Sequence, residues 1–187
     1  MSDELAGKRI AFLVANAGVE EVELTSPWQA VRDAGGEPVL LAPSKEPVRT
    51  VHHDEEPGGS HDPDQAVGDV SAADFAGLVL PGGVGNPDKL RLVPEAVAFV
   101  QAFAAAGKPI AAICHGPWTL VEAGLVSGKT LTSWPSLQTD IRNAGGDWRD
   151  EQVVLSPERG FDLVTSRKPD DLDAFDSELV KAFARSA

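Results

Sequence analysis

The stretch KPIAAICHGPWTL contains the only cysteine of the 187-residue chain, Cys114, which is followed directly by His115. A cysteine thiolate is a strong nucleophile, and an imidazole can take up or return its proton. In a sharp turn from strand to helix the residues two positions away must be small, and Ala112 and Gly116 flank Cys114 in that pattern. Pro117 suits the first turn of a following helix, whose N-terminus we expect to lower the pKa of the thiol. The stretch therefore predicts a nucleophilic cysteine, with a buried inert cysteine as the alternative.

Acidic residues follow two other apolar runs of the chain. Glu20, Glu21 and Glu23 come after FLVAN, and Asp88 comes after LVLPGG. Since ligands of parallel sheets bind outside the carboxyl ends of the strands, these residues and Cys114 are expected at one edge. The alternative is that the acids only balance a helix dipole, a role for which Glu20 and Glu21 are interchangeable.

Two further groups complete the predicted chemistry. Backbone N–H groups next to Cys114 and in the Gly82-Gly83 turn are expected to stabilise an oxyanion. His115 is the candidate base. Its position next to Cys114 in the sequence does not by itself bring its ring into contact with the sulfur, and such a base needs an acid to orient it.

The elements that must position these residues follow from the alternation of apolar and amphipathic runs. Most of the strand-like runs are too apolar to face water, which indicates a parallel sheet covered on both faces. We therefore predict an α/β three-layer sandwich, with a mostly parallel sheet and helices on both faces, as one domain over residues 1–187. The predicted strands are RIAFLVAN, EPVLLAP, the end of SAADFAGLVLPGG, KPIAAIC, KTLTSW, QVVLS and FDLVTS. The predicted helices are EEVELTSPWQAVRDAGG, residues 87–106, HGPWTLVEAGL, residues 136–144 and the segment from about residue 170.

One segment, residues 52–64, does not fit this alternation. It is polar, acidic and punctuated by proline and glycine, which predicts an exposed surface insertion or a loose hairpin. Its histidines and acids suggest a weak metal site, but a solvated loop is the favoured interpretation, so that no metal is expected. Those residues are His52, His53, His61, Asp54, Glu55, Glu56 and Asp62.

Composition narrows the possible partners. The formal charge is −13, from 16 basic and 29 acidic residues, which argues against nucleic acid and anionic membranes as partners. Neither a signal peptide nor a membrane span is predicted, and a single cysteine excludes an internal disulfide. The expected location is the cytoplasm.

The cysteine motif AICHGPWTLVEAGL resembles that of the PfpI-type intracellular proteases of the DJ-1/PfpI superfamily. FLVANAGVEEVEL, LVLPGGVGNPDKLR, TSWPSLQTDIRNAGGDW and SRKPDDL fit the same family in order, so the resemblance covers almost the whole chain. It implies the flavodoxin-like, class I glutamine amidotransferase-like fold. Glutamine amidotransferase activity itself is not expected, because that chemistry uses a His-x-Glu pair and no histidine follows position 115. Segment 52–64 is longer and more acidic than the family pattern, which puts large substrates in doubt.

The resemblance also implies roles for particular residues. Cys114 is the nucleophile, His115 supplies imidazole, and the amides of Gly83 and His115 form the oxyanion hole. Glu23 corresponds to the acid that contacts the cysteine sulfur, and it suits a thiolate only if the two groups share one proton. Asp88 corresponds to an acid that completes a Cys-His-acid arrangement across a subunit interface, so a homodimer or larger homo-oligomer is expected.

The resemblance permits several functions, none of which needs a cofactor. We expect a stress-related enzyme acting on small electrophilic carbonyls, in the manner of a glyoxalase or deglycase. One alternative is an intracellular cysteine peptidase acting on peptides. The other is a non-enzymatic redox sensor or chaperone with an oxidisable Cys114.

Overall fold

The computed structural model describes residues 3–186, and its centre is a seven-stranded sheet. The strand order is β11-β12-β8-β7-β1-β3-β6. Every neighbouring pair is parallel except β11 and β12, which are antiparallel. The strands of this sheet are β1 (Arg9–Leu13), β3 (Glu37–Ala42), β6 (Gln65–Ala66), β7 (Gly77–Leu80), β8 (Ile110–Ile113), β11 (Val153–Ser156) and β12 (Leu163–Ser166).

Five other strands lie outside the main sheet within residues 3–186. Three of them form a second sheet in the order β2-β4-β5, and two form a pair. The strands are β2 (Ala17–Glu20), β4 (Val48–His52), β5 (Glu56–His61), β9 (Thr130–Leu131) and β10 (Asp147–Trp148).

Six α-helices complete the described chain, together with five short 3-10 helices. The α-helices are α1 (Glu21–Asp33), α2 (Gly85–Leu90), α3 (Pro94–Ala105), α4 (Pro117–Glu122), α5 (Gln138–Asn143) and α6 (Leu172–Arg185). None of the helices within residues 3–186 has the length and apolar character that a membrane span requires.

Alternate residues of the central strands pack into two different apolar cores. In β1, Ala11 and Leu13 belong to the core beneath α3, α4 and α5, whereas Ile10 and Phe12 belong to the core beneath α1 and α6. All four side chains are fully buried. The predicted three-layer α/β architecture is therefore confirmed, because a strand buried on both faces has to be apolar at every position.

Several predicted boundaries were wrong. The helix predicted over residues 87–106 is two helices, because Pro94 lacks an N–H and begins α3 instead of continuing α2. KTLTSW contributes only the two-residue β9, and β2 was not predicted as a strand. Pro27 lies in the interior of α1, beyond its first turn.

Segment 52–64 forms a hairpin, which is one of the two structures predicted for it, and most of its residues are exposed. It contains β5, which pairs antiparallel with β4 and extends the small sheet. Glu21 binds the hairpin from α1, because its carboxylate accepts hydrogen bonds from the Thr50 hydroxyl and from the Gly59 N–H. The hairpin is therefore built onto the start of α1.

Shortening a side chain of the central strand should destabilise the fold. Leu13 is fully buried whereas Leu92 is 80% exposed. Leu13→Ala should lower the free energy of unfolding by about 2–5 kcal/mol, since it leaves a cavity, and Leu92→Ala by less than about 0.5 kcal/mol. Urea unfolding of both variants measures the difference, and equal losses would contradict the placement of the core.

Candidate active site

Cys114 occupies the sharp turn between β8 and α4. Its backbone has a φ of 60°, in the left-handed region that residues other than glycine rarely adopt. The Gly116 N–H donates back to the Ile113 carbonyl at 2.8 Å, which closes the turn. A Cβ on Gly116 would lie 2.5 Å from the Leu80 carbonyl oxygen. The small residue predicted two positions after the cysteine is thus required by the neighbouring strand β7.

Glu23 lies against this turn from the first part of α1 and is fully buried. Its Oε2 accepts the Gly82 N–H at 3.0 Å, and the Cys114 thiol also interacts with the carboxyl group. Burial raises the pKa of Glu23 to about 8, and these contacts only partly oppose the rise. At neutral pH Glu23 therefore carries a proton.

The thiol of Cys114 is itself poorly solvated, since the residue is only 4% exposed. Burial raises the pKa of Cys114, and a negative charge on Glu23 raises it further. The backbone N–H groups of Gly83 and His115 face the sulfur and lower the pKa, but not enough to compensate. The lowering effect expected from the N–H groups at the start of α4 is therefore present, but burial and Glu23 outweigh it and the net pKa of Cys114 is raised.

Cys114 and Glu23 form a coupled pair that does not readily lose both protons, so at least one of the two groups stays protonated over a wide pH range. When the proton is on Glu23, the like-charge repulsion disappears and the carboxyl can donate to the sulfur anion. The pair thereby allows a thiolate in a buried place, provided that Glu23 stays neutral.

The imidazole of His115 also contacts the sulfur, with Nδ1 at 3.3 Å from Sγ. Its Nε2 is 3.4 Å from the Ser136 hydroxyl oxygen, and its ring is stacked on Trp134 with 5.8 Å between ring centroids. Burial lowers the pKa of His115, while the negative charge of Asp54 opposes this. The imidazole is thus neutral at pH 7 and able to accept a proton.

The Gly82-Gly83 turn after β7 brings a second backbone amide to the sulfur. A Cβ on Gly82 would lie 2.4 Å from Glu23 Oε2, and one on Gly83 would lie 2.3 Å from the Gly18 carbonyl oxygen. Gly83 also has a φ of 80°. Only glycine allows the turn to approach the cysteine this closely.

Asp88 is exposed in α2 and does not reach His115 in the described part of the chain. Both ring nitrogens of His115 face other groups, the Cys114 sulfur and the Ser136 hydroxyl. Asp88 lines a surface cavity of about 420 Å³ together with Trp118, whose ring packs edge-on against His115 at 5.2 Å. A role for Asp88 across a subunit interface remains a prediction.

One histidine of segment 52–64 lies beside a carboxylate of the helix α1. His61 Nε2 lies 3.4 Å from Glu21 Oε1. Within residues 3–186, no group of three or more histidine, cysteine and acidic side chains is arranged to hold a metal ion.

The structure assigns contacts to two residues that the sequence had not distinguished. Glu20, which is buried, binds the backbone N–H groups of His53 and Asp54, so it is not interchangeable with Glu21. Asp54 in turn binds the Val84 N–H, next to the Gly82-Gly83 turn. The available signal was His53-Asp54 itself, because both types tolerate a positive φ at a hairpin tip.

The sequence matches a known protein family and several known proteins over most of its length. The DJ-1/PfpI family model matches residues 8–182. The chain is 40% identical over 171 residues to the Bacillus subtilis protein named "Putative cysteine protease YraA", covering 91% of this chain and 95% of that protein. It is 38% identical over 174 residues to the Escherichia coli protein/nucleic acid deglycase 2, covering 93% of this chain and 96% of the relative.

A solved structure shows the same fold. An Anabaena variabilis protein with a DJ-1/ThiJ/PfpI-like and a ferritin-like domain superposes with a TM-score of 0.83 and 34% identity. The superposition covers 93% of this chain but only 47% of that two-domain protein.

The buried Glu23 should make stability depend on pH. A carboxyl whose pKa is about 8 in the folded state, well above its unfolded value, resists ionisation only when folded. The wild type should therefore lose about 3–4 kcal/mol relative to Glu23→Gln as the pH rises from 5 to 8. Urea unfolding of both proteins at the two pH values measures this loss.

The exposed Glu151 offers a matched control. Glu151→Gln should follow the wild type at both pH values. A wild-type stability that stays at a constant difference from Glu23→Gln would show that Glu23 is not the titrating group.

Proposed function

The chain belongs to the DJ-1/PfpI family, and we propose that it is a cysteine-dependent enzyme acting on small electrophilic carbonyl compounds. The observation that carries the proposal is the Cys114 sulfur, held in a strained turn with the N–H groups of Gly83 and His115 directed at it. Donors that face a nucleophile in this way also face the oxygen of whatever it attacks. Glu23 and His115 are the proton carriers beside the sulfur.

In the proposed first step the thiolate adds to an aldehyde carbon. A C–S bond forms, and the π electron pair of the carbonyl moves to oxygen, where the Gly83 and His115 amides stabilise the negative charge. The thiol proton passes to neutral His115 while Glu23 keeps its own proton, and the oxygen then takes that proton back from His115 to give a hemithioacetal.

A dicarbonyl substrate allows the reaction to continue without a cofactor. Neutral His115 can remove the proton from the former aldehyde carbon, and a proton returns to the adjacent carbonyl carbon. The product is a thioester of a 2-hydroxy acid on Cys114. Attack of water on the thioester releases the hydroxy acid and returns the thiol, so the net reaction is the addition of one water molecule.

The small exposed area of Cys114 favours a small substrate over an extended peptide. The residue is 4% exposed, and the tip of the β4–β5 hairpin reaches Val84 beside the Gly82-Gly83 turn. The Escherichia coli relative is named as a deglycase, which is compatible with carbonyl chemistry. The name of the Bacillus subtilis relative supports the peptidase alternative instead.

Wild type and Cys114→Ala, compared on methylglyoxal and on denatured casein, test the proposal. We expect the wild type to convert methylglyoxal to a hydroxy acid and Cys114→Ala to lose at least about a hundredfold in rate, since the nucleophile is gone. Product formation by chromatography measures the first reaction and peptide release the second. Hydrolysis of casein alone would select the peptidase, and turnover of neither would reject both enzymes.

A redox sensor is the remaining alternative, because a thiolate formed at Cys114 beside a neutral Glu23 can be oxidised. We propose that the chain forms a homo-oligomer in the cytoplasm, in which Asp88 supports His115 of a second copy. Asp88→Asn should then reduce methylglyoxal turnover by about tenfold or more, because an orienting acid is lost. Its oxidation by peroxide, followed by mass spectrometry at the single cysteine, should remain unchanged.

The exposed Glu95 provides the control for this variant. Glu95→Gln should affect neither turnover nor oxidation. Full turnover by Asp88→Asn would remove Asp88 from the proposed site.

A further inference from the structure

The tip of the β4–β5 hairpin has an unusual backbone that brings Asp54 to the candidate site. His53 and Asp54 have φ angles of 54° and 62°, and the Glu55 N–H donates to the His52 carbonyl at 3.2 Å. Two successive positive φ angles are typical of a type I′ turn, where asparagine and glycine are the usual residues. The strain of this tip calls for contacts that hold it in place.

Glu20 provides those contacts from the residue before α1. Its Oε1 accepts the His53 N–H at 3.0 Å and its Oε2 accepts the Asp54 N–H at 3.1 Å. Glu20 is only 6% exposed, and hydrogen bonds to a poorly solvated carboxylate are stronger than neutral ones. The tip is therefore attached firmly at the start of α1, three residues before Glu23.

Glu20 and Asp54 also bind the two peptide groups that flank Gly83. The Glu20 N–H donates to the Gly82 carbonyl at 3.3 Å, and the Asn86 side chain donates to the same oxygen at 3.0 Å. Asp54 Oδ1 accepts the Val84 N–H at 2.6 Å. Because a peptide group is planar, holding the Gly82 carbonyl also sets the direction of the Gly83 N–H.

We propose that Asp54 and Glu20 are positioning residues, which hold the peptides around Gly83 so that the Gly83 N–H is directed at the Cys114 sulfur. The proposal rests on the proposed function, because the Gly83 N–H matters as a donor to the anions formed at Cys114. It gives the hairpin of segment 52–64 a role in the chemistry of the site. The negative charge of Asp54 also opposes the lowering of the imidazole pKa of His115.

Two substitutions at position 54 separate the hydrogen bond from the charge. Asp54→Gly removes the acceptor and keeps a residue that suits the positive φ, whereas Asp54→Asn keeps an acceptor oxygen and removes only the charge. Glu55→Gln changes a neighbouring exposed charge and serves as the control. The measurement is the rate of alkylation of the single cysteine by iodoacetamide between pH 6 and 10.

Near neutral pH, Cys114 of the Asp54→Gly variant should be alkylated about tenfold more slowly than Cys114 of Asp54→Asn. The reason is that a misdirected Gly83 N–H no longer lowers the pKa of Cys114. The pH profile of Asp54→Gly should shift to higher pH, while Asp54→Asn and Glu55→Gln stay at or above the wild-type rate. Equal profiles for the glycine and asparagine variants would overturn the proposal. If Asp54→Gly does not fold, Glu20→Gln replaces it in the test. Cys114 must then be alkylated more slowly in Glu20→Gln than in Glu55→Gln, and equal rates would overturn the proposal.

Alkylation needs no natural substrate, so this proposal and the proposed function can fail separately. If Cys114 is alkylated slowly in Asp54→Gly but the wild type does not convert methylglyoxal, the positioning role is supported and the proposed function is rejected. Unchanged alkylation and turnover in every variant of an active enzyme would reject the positioning role alone.

Discussion

The coupling between a buried carboxyl group and a buried thiol, which cannot both be ionised, is the interaction on which the rest of the site depends. Glu23 is fully buried, Cys114 is nearly so, and no basic side chain neutralises either group within residues 3–186. Two negative charges in this place would repel strongly, so one of the pair has to stay protonated. The backbone amides around the sulfur are arranged for the state in which the proton is on Glu23.

This constraint explains why so much backbone converges on one sulfur atom. A poorly solvated anion needs hydrogen-bond donors, and side chains could not fit where Gly82, Gly83 and Gly116 pack against neighbouring carbonyls. Backbone N–H groups need no additional volume, but they have to be held in direction by other contacts. The left-handed conformation of Cys114 and the attachments of the Gly82-Gly83 turn are the structural cost of such a site.

The small sheet contributes to the site through its hairpin, which the main sheet alone does not explain. β2 leads directly into α1 and pairs with β4, so the hairpin, Glu20 and Glu23 are built on one continuous piece of structure. A change in the hairpin can therefore reach the cysteine through a few short hydrogen bonds. Asp54 accepts the Val84 N–H and its charge acts on the pKa of His115, so this segment is part of the environment of the imidazole.

The sequence by itself determined the α/β architecture and the turn that carries Cys114. Strands buried on both faces must be apolar throughout, and the turn needs Gly116, so both leave a local signal. The contacts of Glu20 and Asp54 were decided only by the tertiary structure, because a polar residue in an acidic segment looks the same whether it is solvated or bound to distant backbone. The pKa of Cys114 was likewise decided there, since burial and the charge of Glu23 outweigh the local effect of a short helix.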